Sequence, residues 1–181
     1  MPSANWSIKY RGTCRMKIIY HCYGRAHSSV VAAQLHLGKL PMVGPVTKEA
    51  IMAIPEFDLA EAADWGEPYL VGRDTADNEV YILGLNSQAP ICIRAMLSLA
   101  GHVGQADQIL LVNTLAAIRL KTRIGGFMSK KLRWHRIGKP LAASGIISSL
   151  PRLRQLVGTV QEELIRKVQD EEEEDHCHYR R

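Results

Sequence analysis

The chain has 181 residues, is 46% hydrophobic and 23% charged, and carries a formal net charge of +5 at pH 7. These values are typical of one soluble globular domain and exclude a collagen-like or low-complexity chain. No apolar run approaches the roughly 18 residues of a membrane helix, and residues 1–15 lack the apolar segment of a signal peptide. We therefore expect a cytoplasmic protein that has no membrane partner.

Charge is unevenly distributed along the chain. Residues 56–107 hold nine acidic and two basic side chains, whereas residues 108–161 hold ten basic and no acidic ones. A basic block of this kind, densest over 119–139, favours contact with the phosphates of a nucleotide or a nucleic acid. Acidic residues return at Glu162 and form a run at 170–175. The pattern predicts a disordered N-terminal extension at 1–15, one domain at 16–169 and a disordered acidic tail at 170–181.

The first predicted elements are a strand at 17–22, a loop that contains Gly24, and a helix at 30–37 that ends before Gly38. Ser28 or Ser29 is predicted to cap this helix, because a hydroxyl there accepts from an otherwise orphaned N–H group. A loop that leaves a strand and enters a helix N-terminus presents free N–H groups and the positive end of the helix dipole. Such loops are typical of phosphate sites.

The remaining elements alternate between strands and helices. A short helix at 48–54 ends at Pro55, and strands at 69–72 and 79–85 form a β-hairpin. A helix at 89–100, a buried strand at 108–113, helical runs at 115–123 and 127–134, a short strand at 139–143 and a long amphipathic helix from Pro151 follow. This order predicts an α/β fold with three layers, a mainly parallel sheet, one β-hairpin and a long C-terminal helix.

Several polar side chains are candidates for a site at one edge of this sheet. In a parallel sheet Asn113 and Thr114 would lie on the same rim as Cys22 and His27, where ligands gather in open α/β folds. Arg123, beside two glycines in the basic block, is the candidate for a distant anion clamp. The acidic side chains of Asp58, Glu61 and Asp64 are expected to be solvated. The sequence has no Walker A ending and no zinc pattern, so we expect neither a cofactor nor a metal.

Five short motifs resemble those of an uncharacterised bacterial family, a domain of unknown function common in spore-forming Firmicutes. They are KIIYHCYG and AHSS within 17–29, HLGKLP at 36–41, RIGGFMSKKL at 123–132 and GKPL at 138–141. The resemblance covers most of the chain. It implies an architecture and no reaction, because the family has no assigned activity.

The stretch from Cys22 to Ser29 also resembles the phosphate loop of low-molecular-weight protein tyrosine phosphatases. In that family a Cys is the nucleophile, loop amides bind the phosphoryl oxygens, an Arg clamps them and a final Ser hydrogen-bonds the thiolate. Cys22, Gly24 and Ser29 match in type and spacing, whereas Ser28 stands at the position of the clamp Arg. Arg25 lies three residues earlier, and no Asp-Pro pair supplies that family's general acid.

These residues favour a small protein that binds a phosphate-bearing molecule at Gly24, Arg25, Ser28 and Ser29. If it is an enzyme, the first candidate is phosphoryl transfer or hydrolysis, with Cys22 as nucleophile and His27 as acid or base. A first alternative is a regulatory module that contacts nucleic acid or a partner protein through the basic block. A second alternative is a thiol redox sensor at Cys22, since a helix N-terminus favours the thiolate over the thiol.

Overall fold

The first strand of the chain lies inside the sheet, with a parallel neighbour on each side. The computed structural model describes residues 15–118 and 135–178, with side chains over 15–118 and 139–170. Strand β1 (Lys17–Cys22) lies between β3 (Glu79–Gly84) and β4 (Ile109–Asn113), and pairs in parallel with both. Strand β2 (Tyr69–Arg73) pairs antiparallel with β3 at one edge, so the order is β2-β3-β1-β4. The predicted mainly parallel sheet and its hairpin are confirmed.

Helices cover the sheet on both faces and complete the predicted three layers. They are α1 (Ser28–His36), α2 (Lys48–Met52), α3 (Ala89–His102) and α4 (His135–His178). Side chains of β1 point alternately to the two faces. Ile18 and Tyr20 lie in the larger core with α1, α2 and α4, whereas Ile19 lies in a smaller core against α3.

The predicted strand at 139–143 is wrong, because this stretch belongs to α4. Pro140 and Pro151 both lie inside the helix. A continuous stripe of buried side chains holds the stretch in helical form, because residues three and four apart meet on one face. This stripe consists of Ala142, Ala143, Ile146, Leu150, Leu153, Val157, Val160 and Leu164. The helical backbone continues through 170–178, where the predicted acidic tail begins.

Two other predicted elements differ or cannot be compared. A short 3₁₀ helix at Thr114–Ala117 stands at the start of the helix predicted at 115–123. The rest of that helix, the one at 127–134, most of the basic block and residues 1–14 of the predicted extension lie outside the described residues. No described helix is long and apolar enough to cross a membrane.

A buried polar chain fastens the hairpin turn to the core at the edge opposite the strand C-termini. The Tyr20 hydroxyl lies 2.8 Å from Nδ1 of His36, and Nε2 of His36 lies 3.2 Å from Oδ2 of Asp74. Burial lowers the pKa of His36 and raises that of Tyr20. Asn78 also donates to Asp74. Because Tyr20 is fully buried, we interpret this series of hydrogen bonds as structural: it holds the turn between β2 and β3 against the core.

Candidate functional site

The candidate site lies where the parallel strands end. The 22–29 loop leaves the C-terminal end of β1 and enters α1, and the register His21↔Asn113 places the end of β4 beside it. On the other side the loop crosses the end of β3. A Cβ built on Gly84 would lie 2.9 Å from the backbone nitrogen of Arg25 and 3.0 Å from the carbonyl carbon of Gly24. The crossing therefore requires a glycine at position 84.

Cys22 and Ser29 meet inside the loop. The Cys22 Sγ lies 3.2 Å from the Ser29 Oγ, and both residues are buried. A hydroxyl at this distance can donate to a thiolate and stabilise its charge. The sequence match at these two positions therefore corresponds to a contact in the fold.

The two serines do not cap α1, contrary to prediction. His27 is the N-cap residue and its side chain makes no capping hydrogen bond, so Ser28 and Ser29 belong to the first turn. The Ser28 Oγ lies 2.9 Å from Thr114 Oγ1, and the Thr114 hydroxyl donates to the His21 carbonyl at 2.9 Å. Because the single Thr114 proton is used on His21, Ser28 must donate to Thr114. This hydroxyl chain ties the start of α1 to the ends of β1 and β4.

His27 is held in one orientation by an acidic side chain from a distant segment. Its Nε2 lies 2.9 Å from Oδ1 of Asp58, and its ring packs edge-on against Phe57 with 5.1 Å between centroids. The Asp58 backbone has φ of 64° and its amide donates to the Ala26 carbonyl at 2.9 Å. A left-handed conformation is costly for a residue other than glycine. Here it accompanies a turn that places the carboxylate against His27.

Arg25 is fixed by three contacts with the segment 64–69. Its guanidinium lies 3.2 Å from Oδ1 of Asp64, donates to the Glu67 carbonyl at 3.1 Å, and covers the Tyr69 ring at 5.4 Å from the centroid. Its backbone φ is 55°, which is again left-handed. Arg25 thus takes part in an ion pair and a cation–π contact rather than standing free as a clamp.

The backbone amides of the loop have no acceptor in the part of the chain that the structure describes. Among the described residues, no N–H group from residue 23 to residue 30 donates a hydrogen bond, and the first donor after β1 is Val31, which bonds to the His27 carbonyl. Most of these residues are buried. Buried backbone N–H groups are almost always paired with protein, water or ligand. A run of unpaired amides at a helix N-terminus is therefore suited to oxygen atoms of an anion.

A second unpaired donor stands beside the same loop. The indole Nε1 of Trp65 is buried and has no hydrogen-bond partner in the described part of the chain. Its ring packs edge-on against Tyr23, with 5.9 Å between centroids. An unpaired buried N–H costs free energy, so this position too is suited to an acceptor from outside the protein.

The sequence-predicted residues fall into three groups. Cys22, Gly24, Arg25, His27, Ser28 and Ser29 lie in the loop, and Thr114 lies directly under it. Asn113 lies on the same rim, but its exposed side chain accepts from the Leu115 amide. Arg123 lies outside the described residues.

Two acidic residues were wrongly expected to be solvated. Asp58 pairs with His27, and Asp64 pairs with Arg25. The basic side chains of the loop were the only feature of the sequence that indicated these pairs, because a basic residue in a largely buried loop requires an acidic partner from elsewhere.

His21 lies at the end of β1 and alternates with Cys22, so it belongs to the α3 side of the sheet. It is buried, its Nδ1 has no partner among the described residues, and burial lowers its pKa. Within the same described residues no group of three or more His, Cys, Asp or Glu side chains is placed to hold a metal ion. His21 is thus a neutral packed imidazole at ordinary pH.

Comparison with known families assigns the chain to one of them. Residues 17–162 match the model of a family described as a protein of unknown function, DUF3189, and the chain belongs to that family. The match spans β1 through most of α4 and includes the whole 22–29 loop. No curated protein and no solved structure matches the chain.

Proposed function

We propose that this protein binds a phosphate-bearing small molecule in the 22–29 loop. The observation that carries the proposal is the run of loop amides that donate to no acceptor in the described part of the chain, which begins beside Cys22 and ends in the first turn of α1. Phosphate oxygens accept several N–H hydrogen bonds at once, and the α1 dipole favours the added negative charge. His27 adds a side chain that can carry positive charge next to Asp58.

The same geometry supports a catalytic form of the proposal. The Cys22 Sγ attacks phosphorus, and the bond from phosphorus to the ester oxygen breaks. A protonated His27 gives its Nδ1 proton to the leaving oxygen, since its Nε2 is bonded to Asp58. Water then attacks the phosphocysteine, gives a proton to His27, and releases phosphate and the thiolate. Ser29 donates to the thiolate before and after these steps.

The contacts of Arg25 and Ser28 separate this loop from the phosphatase pattern. Ser28 gives its proton to Thr114, so it has none to donate to an anion. Arg25 is paired with Asp64. Anion binding in this loop therefore depends on backbone amides and His27, and we expect weaker binding of the phosphoryl group than an Arg clamp gives.

Binding is tested by titrating ¹⁵N-labelled protein with inorganic phosphate at constant ionic strength. The amide resonances of residues 24–30 should shift together, with a single dissociation constant, and chloride should not reproduce the change. Phosphate at about 100 times that constant should stabilise the fold by about 2.7 kcal/mol. Shifts confined to other residues, or none, would contradict the proposal.

Catalysis is tested separately with p-nitrophenyl phosphate. Cys22→Ser should abolish turnover and retain phosphate binding, whereas Cys92→Ser should leave both unchanged, because Cys92 lies on α3 against the opposite face. His27→Asn should lower the rate by about 10²–10⁴-fold. Binding without turnover in the wild type would restrict the function to ligand binding.

The two alternatives from the sequence predict other outcomes in these experiments. A nucleic-acid module predicts stabilisation by oligonucleotides that decreases with salt, and loss of that effect on neutralising Lys130, Lys131 and Arg133, all outside the described residues. A redox sensor predicts rapid alkylation of Cys22 at neutral pH.

A further inference from the structure

A cavity of about 250 Å³ lies next to the 22–29 loop. One wall is Arg25 of the loop itself, and another is the segment 56–64, which also carries the Asp58 that holds His27. The floor includes Ile82, and Tyr69, its partner in the β2–β3 pair, lies beside it. The cavity therefore shares Arg25 with the loop, and its other wall contacts the loop through Asp58, so a molecule bound in the loop can extend into the cavity.

The charges in the cavity do not cancel. Arg25 and Asp64 form an ion pair at 3.2 Å, which balances one positive and one negative charge. Glu56 is left over. Its only hydrogen bond among the described residues comes from the Gln34 side-chain amide at 3.3 Å, and no described cation pairs with it.

Glu56 also has mainly apolar neighbours in the cavity. Leu59, Ala60 and Ile82 line the same space. A half-buried carboxylate beside apolar groups has lost part of its hydration, and a cation is the partner that restores favourable electrostatics. Tyr69 adds an aromatic surface, although Arg25 already covers its ring.

We infer that this cavity binds an ammonium group carried by the organic part of the phosphate ester, with Glu56 as its counter-ion. This inference rests on the proposed function, because it takes the phosphate to lie in the 22–29 loop. The substrate class is then a small amino-substituted phosphate monoester. Its phosphate lies on the loop amides, its ammonium group on Glu56, and its carbon chain against Leu59 and Ala60.

The experiment compares two series of ligands on the full chain. One series is ω-aminoalkyl phosphates with two to six carbons, and the other is alkyl phosphates of the same lengths. Dissociation constants are measured by calorimetry for the wild type, Glu56→Gln and Glu162→Gln. Glu162 is exposed and next to Gln161, which donates to the carbonyl of His36 at the far end of α1. Glu162→Gln is therefore the control variant, because it removes the same charge as Glu56→Gln at a different place.

We expect one chain length at which the amino compound binds about fivefold to tenfold more tightly than the alkyl compound. Glu56→Gln should remove that gain. It should also bind the alkyl phosphate about twofold more tightly, because a negative charge near the dianion has been removed. Glu162→Gln should behave as the wild type. Loss of the gain for the amino compound together with tighter binding of the alkyl compound cannot come from unfolding, because unfolding would weaken the binding of both series.

The possible failures are distinguishable. If neither series binds, the phosphate site in the loop is refuted, and this inference with it. If both series bind equally at every length, or if Glu56→Gln keeps the preference for the amine, the loop site stands and the ammonium site is refuted. Denaturation in urea checks that each variant is folded at the concentration used.

Discussion

Gly84 offers a direct test of how closely the loop and the sheet must approach. A methyl group at this position would lie 2.9 Å from the Arg25 nitrogen, 3.0 Å from the Gly24 carbonyl carbon and 3.2 Å from the Arg25 Cβ. Two of these three atoms belong to the backbone, so no rotation of a side chain can relieve the contact. Gly84→Ala must move the 22–29 loop away from β3. The move would strain two hydrogen bonds, from the Leu85 and Asn86 amides to the Cys22 and Tyr23 carbonyls.

The expected cost follows from overpacking. Inserting one methyl group into a tightly packed site destabilises a protein by about 1–3 kcal/mol. For a chain of this size each kcal/mol lowers the melting temperature by about 2–4 °C. Chemical denaturation measures the first quantity and calorimetry the second. Because the same movement displaces the loop amides, phosphate affinity should fall together with stability.

A control in the same protein separates this effect from the general result of changing glycine to alanine. Gly158 lies inside α4, and a Cβ there would have nothing within 4 Å. Gly158→Ala should stabilise the fold by about 0.5–1 kcal/mol, since alanine is the better helix former, and should leave phosphate binding unchanged. A Gly84→Ala protein that is as stable as the wild type and binds phosphate equally well would refute the close crossing.

Two further predictions concern groups around the loop. Thr114→Val should destabilise the fold by about 1–3 kcal/mol in urea denaturation, because the Ser28 hydroxyl and the His21 carbonyl each lose a hydrogen-bond partner. An unchanged urea midpoint would contradict the hydrogen bonds that join Ser28, Thr114 and His21. Burial lowers the pKa values of His21 and His36 below 6.5, so the fold favours their neutral forms. The free energy of unfolding that these two residues contribute is therefore fully present above pH 6.5 and should decrease as the pH falls below that value. His21→Phe should reduce the slope of unfolding free energy against pH by up to about 1.4 kcal/mol per pH unit. A slope equal to that of the wild type would contradict the burial of His21.

Much of the fold could be predicted because its signals are local. The apolar, β-branched runs at 17–22, 79–84 and 109–113 give strands, and their alternation with helices gives a parallel sheet. The error at 139–143 arose because this stretch was read as a strand and Pro151 as the first turn of the long helix, although the helix also includes Pro140. Both are exposed, and the stripe from Ala142 to Leu164 runs past Pro151 without a change of period. Tertiary burial therefore outweighed the cost of two missing N–H groups.

The site could be predicted only as far as its own strand and loop. The sequence places Cys22, Gly24, His27 and Ser29 on one strand-to-helix turn, and the contact between Cys22 and Ser29 is what the resemblance to the phosphatase loop implies. Of their long-range partners, Thr114 was predicted on the same rim, although its bond to Ser28 was not, and Asp58 was predicted to be solvated. Asp58 reaches His27 through a left-handed turn 31 residues away, and Thr114 reaches Ser28 across 86 residues. Neither pairing leaves a periodic signal.

In the proposed site, the segment 56–67 would determine what the loop can bind, although it contributes no residue to the loop. It pairs Arg25 with Asp64 and orients His27 through Asp58, so both basic side chains of the loop already have an acidic partner before any ligand arrives. If a dianion binds in the loop as proposed, it meets amides that have no acceptor among the described residues, and Glu56 adds a negative charge in the adjoining cavity. Glu56 would then oppose a ligand with phosphate alone, whereas a ligand that also carries an ammonium group would be favoured at both ends. Selectivity in this site would thus come from a charge that repels the wrong ligands as well as from contacts that attract the right one.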